Sequence, residues 1–299
     1  MLRRPTVLAV LLLCAVPSFA ANLVSGVRMK ISAGDVASGI AAVEDYKRTT
    51  GVDPEYLNAV GWLARGAQML HQPDLARQYV AELHREIPEE KPELIVPFGA
   101  AIEVESRLIA AEQGRGPALT YLKAALGRAK DPALRSRINK NIHLLSLEGQ
   151  PALPLNLSNY VGAAPAADTK GKPVLLFLWA QGCGDCRAQS PSLARVWQRY
   201  RDKGLVLIAP TRFYGTVDDK PATPEEEKER VAKVWGELYP GFDGVTAPID
   251  TEGHIVYGAS ATPTFVFIDK KGIVRSYLPV RLSEGELSRR IEALLAERD

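Results

Sequence analysis

The chain has 299 residues, a length that fits about two ordinary domains. It carries 37 Lys and Arg against 35 Asp and Glu, a formal charge of +2, which argues against a strongly basic nucleic-acid-binding protein and against an acidic disordered tail. Three cysteines and four histidines are too few for a disulfide-dense scaffold or a zinc-cluster protein. We therefore expect a globular protein with neither a nucleic-acid partner nor a metal site.

Residues 1–20 have the layout of a secretory signal peptide. Arg3 and Arg4 form a positive region, the run Val7–Val16 is apolar, and small residues precede a cleavage site after Ala20. The apolar run is short for a bilayer span, although a retained membrane anchor is the alternative. Cleavage would remove Cys14 and leave the two cysteines of the second half of the chain. We expect a periplasmic or secreted protein.

Residues 21–148 are predicted to form an α-helical hairpin domain, because apolar residues recur there at helical spacing. Six helices are expected from residue 35 onward, paired into three hairpins. Asp53 and Asp131 each precede a proline, the pattern of an N-cap followed by proline at the first helical position. Asp74 is predicted to cap a further helix.

One of these hairpins, which ends at Pro88, resembles a tetratricopeptide repeat. Its small residues Ala64, Ala67 and Ala76 match the close-packing positions of that repeat. No second copy follows at the period of the repeat, so a plain helical-hairpin domain is the alternative. In either case the helical half is expected to dock a protein partner and to contribute no chemistry.

Residues 149–299 are predicted to form an α/β domain with a mixed sheet and helices on both faces. A turn-rich stretch leads from residue 149 to 172, and part of it is expected to be a linker. Apolar runs then predict four strands, with helices between and after them. The predicted strands are Val174–Trp179, Leu205–Ile208, Thr264–Ile268 and Ile273–Tyr277.

The pair Cys183 and Cys186 directly follows a buried strand and opens a helix. The free N–H groups at a helix N-terminus stabilise a thiolate, which is the attacking species in thiol–disulfide exchange. The second cysteine lies in the same first turn, where it can attack the mixed disulfide. A structural disulfide, a zinc site and an inert reduced pair are the alternatives.

The second half of the chain resembles the thioredoxin superfamily, and within it the exported TlpA/ResA-type thiol–disulfide oxidoreductases. The residues that carry the resemblance are Gly171–Ala180, Cys183–Pro191, Tyr257–Ala259 and Ala261–Asp269. The resemblance implies a redox-active Cys183–Cys186 disulfide with no cofactor. It also implies a cis-proline at Pro263, with Thr262, Pro263 and Trp179 forming the surface that binds the substrate polypeptide.

Three positions near the cysteines depart from the family pattern and are expected to tune the site. Phe177 stands where thioredoxins have a buried acid, and Gln189 stands where relatives often have one, so no proton acceptor for Cys186 is identifiable. Gly184 and Asp185 separate the two cysteines, and the carboxylate of Asp185 should raise their thiol pKa by like charge. Arg187 is expected to offset that effect.

The resemblance implies an exported thiol–disulfide oxidoreductase that acts on protein thiols and disulfides, and it favours a reductase. A reductase in an oxidising compartment needs a membrane or periplasmic thiol electron donor. One alternative is a thiol peroxidase of the same fold, although the residue three positions before Cys183 is Ala180 rather than a hydroxyl donor. The other is a non-enzymatic interaction module that carries the redox domain.

Overall fold

A computed structural model describes residues 22–165, 169–218 and 220–297. The predicted signal peptide, residues 1–20, lies outside the described residues. Within the described ranges, no helix is both long enough and apolar enough to cross a bilayer.

Among the residues that the structure describes, seven α-helices precede the sheet, one more than the sequence predicted. They are α1 (Leu23–Ser32), α2 (Val36–Thr49), α3 (Pro54–Met69), α4 (Pro73–Glu86), α5 (Ile95–Gln113), α6 (Arg115–Arg128) and α7 (Pro132–Ser146). Asp53 and Asp131 are N-caps, as expected, because their carboxylates accept hydrogen bonds from backbone N–H groups of the first turn.

Two details of the helical half differ from the sequence-based prediction. The first helix, α1, was not predicted; it begins at Asn22, whose side chain accepts from the backbone N–H of Ser25. Asp74 is not an N-cap. Helix α4 begins at Pro73, two residues before the start that a cap at Asp74 would give, with Gln72 at the cap position and no side-chain cap bond, because proline fits the first helical position without losing a hydrogen bond.

The second half is an α/β domain with a six-stranded mixed sheet in the order β1-β6-β3-β2-β7-β8. Its strands are β1 (Tyr160–Gly162), β2 (Val174–Leu178), β3 (Val206–Ile208), β6 (Thr246–Pro248), β7 (Thr264–Ile268) and β8 (Val274–Leu278), and β4 (Thr216–Val217) and β5 (Lys220–Pro221) form a separate hairpin. Its helices are α8 (Gly184–Tyr200), α9 (Pro224–Leu238), α10 (Thr251–Val256) and α11 (Glu284–Ala296).

The central strand β2 is buried along its whole length, and its side chains alternate between two apolar cores. Leu175 and Phe177 belong to the core that also contains residues of α8, α9 and α11. Leu176 and Leu178 belong to the core on the opposite face, which includes Leu147 just after α7. The four strands predicted from apolar runs are present, whereas the sequence did not reveal β1, β6 or α10.

The stretch after α7 is docked on the sheet rather than free. Gly149 donates its N–H to the carbonyl of Val274, and Val274 donates in return to the carbonyl of Gln150. The side chains of Leu153 and Leu155 pack against the second core. The chain contacts the sheet from residue 147 onward, so the segment that follows the predicted boundary is not a free linker. The division of the chain between residues 148 and 149 remains a prediction.

Helix α7 contacts the second half of the chain, residues 149–299 and called the redox half below, through side chains that bond the carbonyls of α10. Asn139 donates its side-chain amide to the carbonyl of Ile255 at 3.0 Å, and His143 donates Nε2–H to the carbonyl of Val256 at 2.7 Å. Burial lowers the pKa of His143, which favours its neutral form. Gly258 follows with φ +67°, and a Cβ built there would lie 2.2 Å from the backbone nitrogen of Lys140. Only glycine therefore permits this close approach of the two halves.

We expect Gly258→Ala to destabilise the protein more than the matched substitution Gly272→Ala. Gly272 also has a positive φ, +78°, but no atom lies within 4 Å of a Cβ built there. The Gly272 variant should cost about 1 kcal/mol from backbone strain alone, and the Gly258 variant at least about 2 kcal/mol more because backbone must move. Urea unfolding of both variants measures the difference, and equal losses would contradict the close-packing argument.

Candidate active site

The two cysteines lie where strand β2 leads into helix α8. Cys183 is the N-cap of α8 and Cys186 lies in its first turn, with their Cα atoms 5.3 Å apart and a disulfide between them. The backbone N–H of Cys186 donates to the sulfur of Cys183 at 3.0 Å. The same N–H group would stabilise a thiolate on Cys183 once the disulfide is reduced.

The two sulfurs differ in accessibility. Cys183 is half-buried and faces a cleft, whereas Cys186 is fully buried in the core between the sheet and α8. An incoming disulfide can therefore reach the sulfur of Cys183 but not that of Cys186. Pro191 lies inside α8, as the sequence indicated.

The segment before β7 faces the cysteine pair. The Thr262–Pro263 peptide bond is cis, as the resemblance implied, and the carbonyl oxygen of Thr262 lies 3.4 Å from the sulfur of Cys183. In the disulfide form this is a contact and not a hydrogen bond, because the sulfur carries no proton. Thr262 is half-buried and Pro263 is buried, so Thr262 is the member of the pair that reaches the surface of the cleft.

Trp179 does not reach that surface, contrary to the role predicted for it. Its side chain is completely buried, its indole N–H donates to the carbonyl of Ala209 at 2.9 Å, and its ring packs on Trp235 and Tyr239. A large aromatic group with its one donor satisfied is a core residue. Trp179 therefore supports the loop that carries Cys183 from below and has no surface to offer a substrate.

The two residues between the cysteines are exposed. A carboxylate oxygen of Asp185 lies 3.8 Å from a guanidinium nitrogen of Arg281, so the cation nearest to Asp185 is Arg281 and not the neighbouring Arg187. Gly184 has only Arg187 within 4 Å of a Cβ built there. The expected effect of Asp185 on the thiols remains a prediction.

Gln189 is buried, and both ends of its amide have partners. Its Nε2 donates to Ser192 Oγ and to the carbonyl of Leu282, each at 2.9 Å, and its Oε1 accepts from the N–H of Leu282 at 2.8 Å. The side chain thus fixes the segment that precedes α11 against α8. A carboxylate could accept from Leu282 but could not donate to it, which is a physical reason for glutamine at this position.

His254 and Thr211 are two residues near the site that the sequence did not single out. His254 Nε2 lies 3.3 Å from the carbonyl oxygen of Trp179, and Thr211 donates its hydroxyl to the same oxygen at 2.9 Å. Both side chains are fully buried. Burial, assisted by the positive charge of Arg212, lowers the pKa of His254 to about 3. Thr211 and His254 are far apart in sequence from the cysteines, so no local spacing could have indicated them.

The substitution Gln189→Glu should destabilise the folded protein by about 3 kcal/mol, because it buries a carboxylate against the Leu282 carbonyl and removes a donor. Gln198→Glu, an exposed position on the same helix, is the matched control and should change stability by less than about 0.5 kcal/mol. Urea unfolding at pH 7 checks both. A variant as stable as the control would show that the Leu282 bonds contribute nothing.

The buried neutral state of His254 makes stability pH-dependent. The unfolded chain binds a proton on this histidine below its ordinary pKa of 6.5, whereas the folded chain does so only near pH 3. Stability should therefore be lost as pH falls from 6.5 toward 3, with a slope of at most about 1.4 kcal/mol per pH unit from this group. Urea unfolding from pH 7 to 5 should show a smaller slope for His254→Gln than for wild type. His71→Asn, at an exposed histidine, is the control and should leave the slope unchanged.

No group of three or more His, Cys, Asp or Glu side chains in the described part of the chain could hold a metal ion.

Comparisons with known proteins converge on this half of the chain. The Redoxin family matches residues 156–291. The thioredoxin-like protein YneN of Bacillus subtilis is 28% identical over 149 residues, which span 48% of this chain and 79% of YneN. The thiol-disulfide oxidoreductase ResA of Geobacillus thermodenitrificans is 22% identical over 129 residues, which span 42% of this chain and 66% of ResA.

A solved structure of a putative thiol:disulfide interchange protein DsbE from Chlorobium tepidum covers 50% of this chain and 98% of its own, with 24% identity and a TM-score of 0.38. The mixed sheet, the helices on its faces and the Redoxin match over residues 156–291 agree with the resemblance seen in the sequence. The second half of the chain is therefore a thioredoxin-like oxidoreductase domain.

Proposed function

We propose that the chain is an exported thiol–disulfide oxidoreductase that reduces disulfides of substrate proteins, with Cys183 as nucleophile and Cys186 as resolving thiol. The observation that carries the proposal is the difference in burial of the two sulfurs at the start of α8: Cys183 faces a cleft and Cys186 is fully buried. The order of attack follows from this difference, because a protein disulfide can approach only Cys183.

The exchange proceeds in two balanced steps. The thiolate of Cys183 attacks one sulfur of the substrate disulfide, a new S–S bond forms, and the other substrate sulfur leaves as a thiolate that takes up a proton. The thiolate of Cys186 then attacks the sulfur of Cys183, which releases the second substrate thiolate and forms the Cys183–Cys186 disulfide. Two electrons pass from the protein to the substrate, and no cofactor is needed.

The segment that ends at the cis-proline supports a role in binding the substrate polypeptide. The carbonyl of Thr262 lies beside the sulfur of Cys183, so an extended substrate chain that paired with the backbone at Thr262 would bring its own sulfur to the site of attack. Pro263, which follows Thr262, is buried.

The direction of exchange and the source of electrons are part of the proposal. A reductase that works in the periplasm or outside the cell must be reduced again after each turnover, and we propose a membrane or periplasmic thiol protein as the donor. The helical half is proposed to dock a protein partner. Measuring the reduction potential of the Cys183–Cys186 pair tests the direction: a value near −270 mV, as in thioredoxin, supports a reductase, and a value near −120 mV contradicts it.

The Cys186→Ser variant should accumulate mixed disulfides with substrate proteins, because the resolving thiol is absent. Cys183→Ser should form none, because Cys186 is buried. Non-reducing gel electrophoresis after exposure to a disulfide-bonded protein such as insulin measures both variants. Equal trapping by the two variants would contradict the assignment of Cys183 as nucleophile.

The competing functions are separated by two assays on the full chain. A reductase turns over insulin in the presence of dithiothreitol and consumes peroxide no faster than free thiols do. A thiol peroxidase would consume peroxide faster than free thiols do and would not turn over insulin. A non-enzymatic interaction module would show neither activity.

A further inference from the structure

We propose that the cleft over Cys183 contains a subsite for a carboxylate of the thiol- or disulfide-bearing substrate, formed jointly by α7 and the redox half. The inference rests on the proposed function and adds to it the chemical character of the substrate. It also gives the helical half a direct role at the reacting sulfur, which the sequence did not predict.

The cleft has a volume of about 430 Å³ and walls from both halves of the chain. One wall is the first two turns of α7, where Ala133, Ser136 and Arg137 follow the i, i+3, i+4 spacing of one helical face. Arg212 and Ser260 of the redox half also line it, and so does Cys183. A group bound between α7 and the redox half is therefore in the same cleft as the attacking sulfur.

Polar atoms without partners are concentrated in this cleft. Four buried side-chain atoms on its walls have no hydrogen-bond partner among the described residues: Ser136 Oγ, Arg137 Nε, Arg212 Nε and Ser260 Oγ. Ser136 is only 2% exposed, so its unpaired hydroxyl is not satisfied by bulk solvent. Buried polar groups in folded proteins normally have partners, so four orphaned atoms in one cleft indicate a polar ligand.

Arg137 supplies a positive charge that has no carboxylate at ion-pair distance among the described residues, although Glu103 attracts it from farther away. Glu103, the buried acid nearest to it in the helical half, already contacts Arg65 at 3.5 Å, Arg107 at 3.0 Å and Lys140 at 3.2 Å. Burial by itself would raise the pKa of Glu103, but these cations outweigh it and lower the pKa to about 2, so the carboxylate is fully charged and shared. Arg137 forms no ion pair with any residue that the structure describes.

The space for Arg137 is provided by a glycine on α5. A Cβ at Gly99 would lie 2.4 Å from Cδ of Arg137. The Arg137 side chain is therefore packed along α5 while it also lines the cleft, and burial lowers its pKa without removing its charge at neutral pH.

Arg212 supplies the second positive charge. Its guanidinium carbon lies 4.4 Å from the centre of the Tyr214 ring, and no ion pair joins it to a described residue. The buried imidazole behind it, His254, is neutral at physiological pH, so it neither adds to nor cancels the charge of Arg212.

One carboxylate, that of Asp185, lines the same cleft and would repel a bound carboxylate. Asp185 is exposed and lies 3.8 Å from Arg281, which offsets part of its charge. Two arginines against one partly paired aspartate leave the cleft with a net positive charge.

These donors suit a carboxylate in particular. Guanidinium groups bind carboxylates through directed, charge-assisted hydrogen bonds, and the two serine hydroxyls can donate further bonds to the same oxygens. Because the subsite and Cys183 share one cleft, the carboxylate must belong to a molecule that also presents sulfur. An acidic residue close to the cysteine of a substrate polypeptide and a carboxylate of glutathione both have this chemistry.

The test compares rates on matched disulfides that differ only in charge. In one arm, wild-type protein reduces a disulfide-linked peptide with Glu beside its cysteine and the same peptide with Gln. In the other arm, it reduces glutathione disulfide and the methyl ester of glutathione disulfide. The expected rate ratio is about tenfold in favour of the carboxylate form, consistent with a charge-assisted bond. A preference in the peptide arm identifies a polypeptide substrate, and one confined to the glutathione arm identifies the small thiol.

The variants Arg137→Gln and Arg212→Gln should each bring the ratio close to one. Arg135→Gln, two residues away on the same helix and outside the cleft, is the matched control and should keep the wild-type ratio. Equal wild-type rates on charged and uncharged forms in both arms would overturn the subsite and leave the proposed function intact. Failure of the wild type to reduce any of these disulfides would overturn both.

Discussion

The contact between the backbone of α7 and Gly258 fixes the relation of the helical half to the redox half. Gly258 lies in the segment between α10 and β7, where a side chain would collide with the backbone of Lys140. Asn139 and His143 bond the carbonyls of α10 on either side of this contact. With α7 held in this position, its first two turns can only lie beside the segment that leads to Pro263, and they form a wall of the cleft over Cys183.

The position of the two cysteines depends on a second constraint, the transition from β2 to α8. Strand β2 is buried on both faces, so its last residues are held firmly where the helix begins. Trp179, at the end of this strand, is fixed by hydrogen bonds at both its indole and its carbonyl, the latter to Thr211 and His254. The loop that carries Cys183 therefore rests on a rigid, fully paired base, while Cys183 itself faces the cleft.

The two halves also combine electrostatically. The helical half contains a buried cluster in which one glutamate is surrounded by three cations, with Arg137 as a further cation beside it. The redox half contributes Arg212 across the cleft. Arg137 lines the cleft of Cys183 only because the two halves pack against each other. Residues of both halves therefore line the cleft in which Cys183 lies.

The sequence by itself determined the elements whose causes are local. Prolines and capping aspartates at Asp53 and Asp131 marked helix starts, apolar runs marked the long central strands, and the cysteine spacing marked the redox pair. Short strands such as β6 could not be predicted from the sequence, because three residues are too few to show a periodic pattern. The residues of β6 form a strand only because they pair with β1 and β3.

Only the tertiary structure decided which residues share the site. Trp179 was predicted to help form the substrate-binding surface, yet the fold turns its ring into the core. Gln189 looked like a missing acid, and the fold shows its amide bonded at both ends to Leu282, 93 residues further along the chain. Ser136 and Arg137 carry no motif at all. They line the same cleft as Cys183 because packing brings α7 against Gly258, and the packing of residues so distant in sequence leaves no local pattern in the sequence.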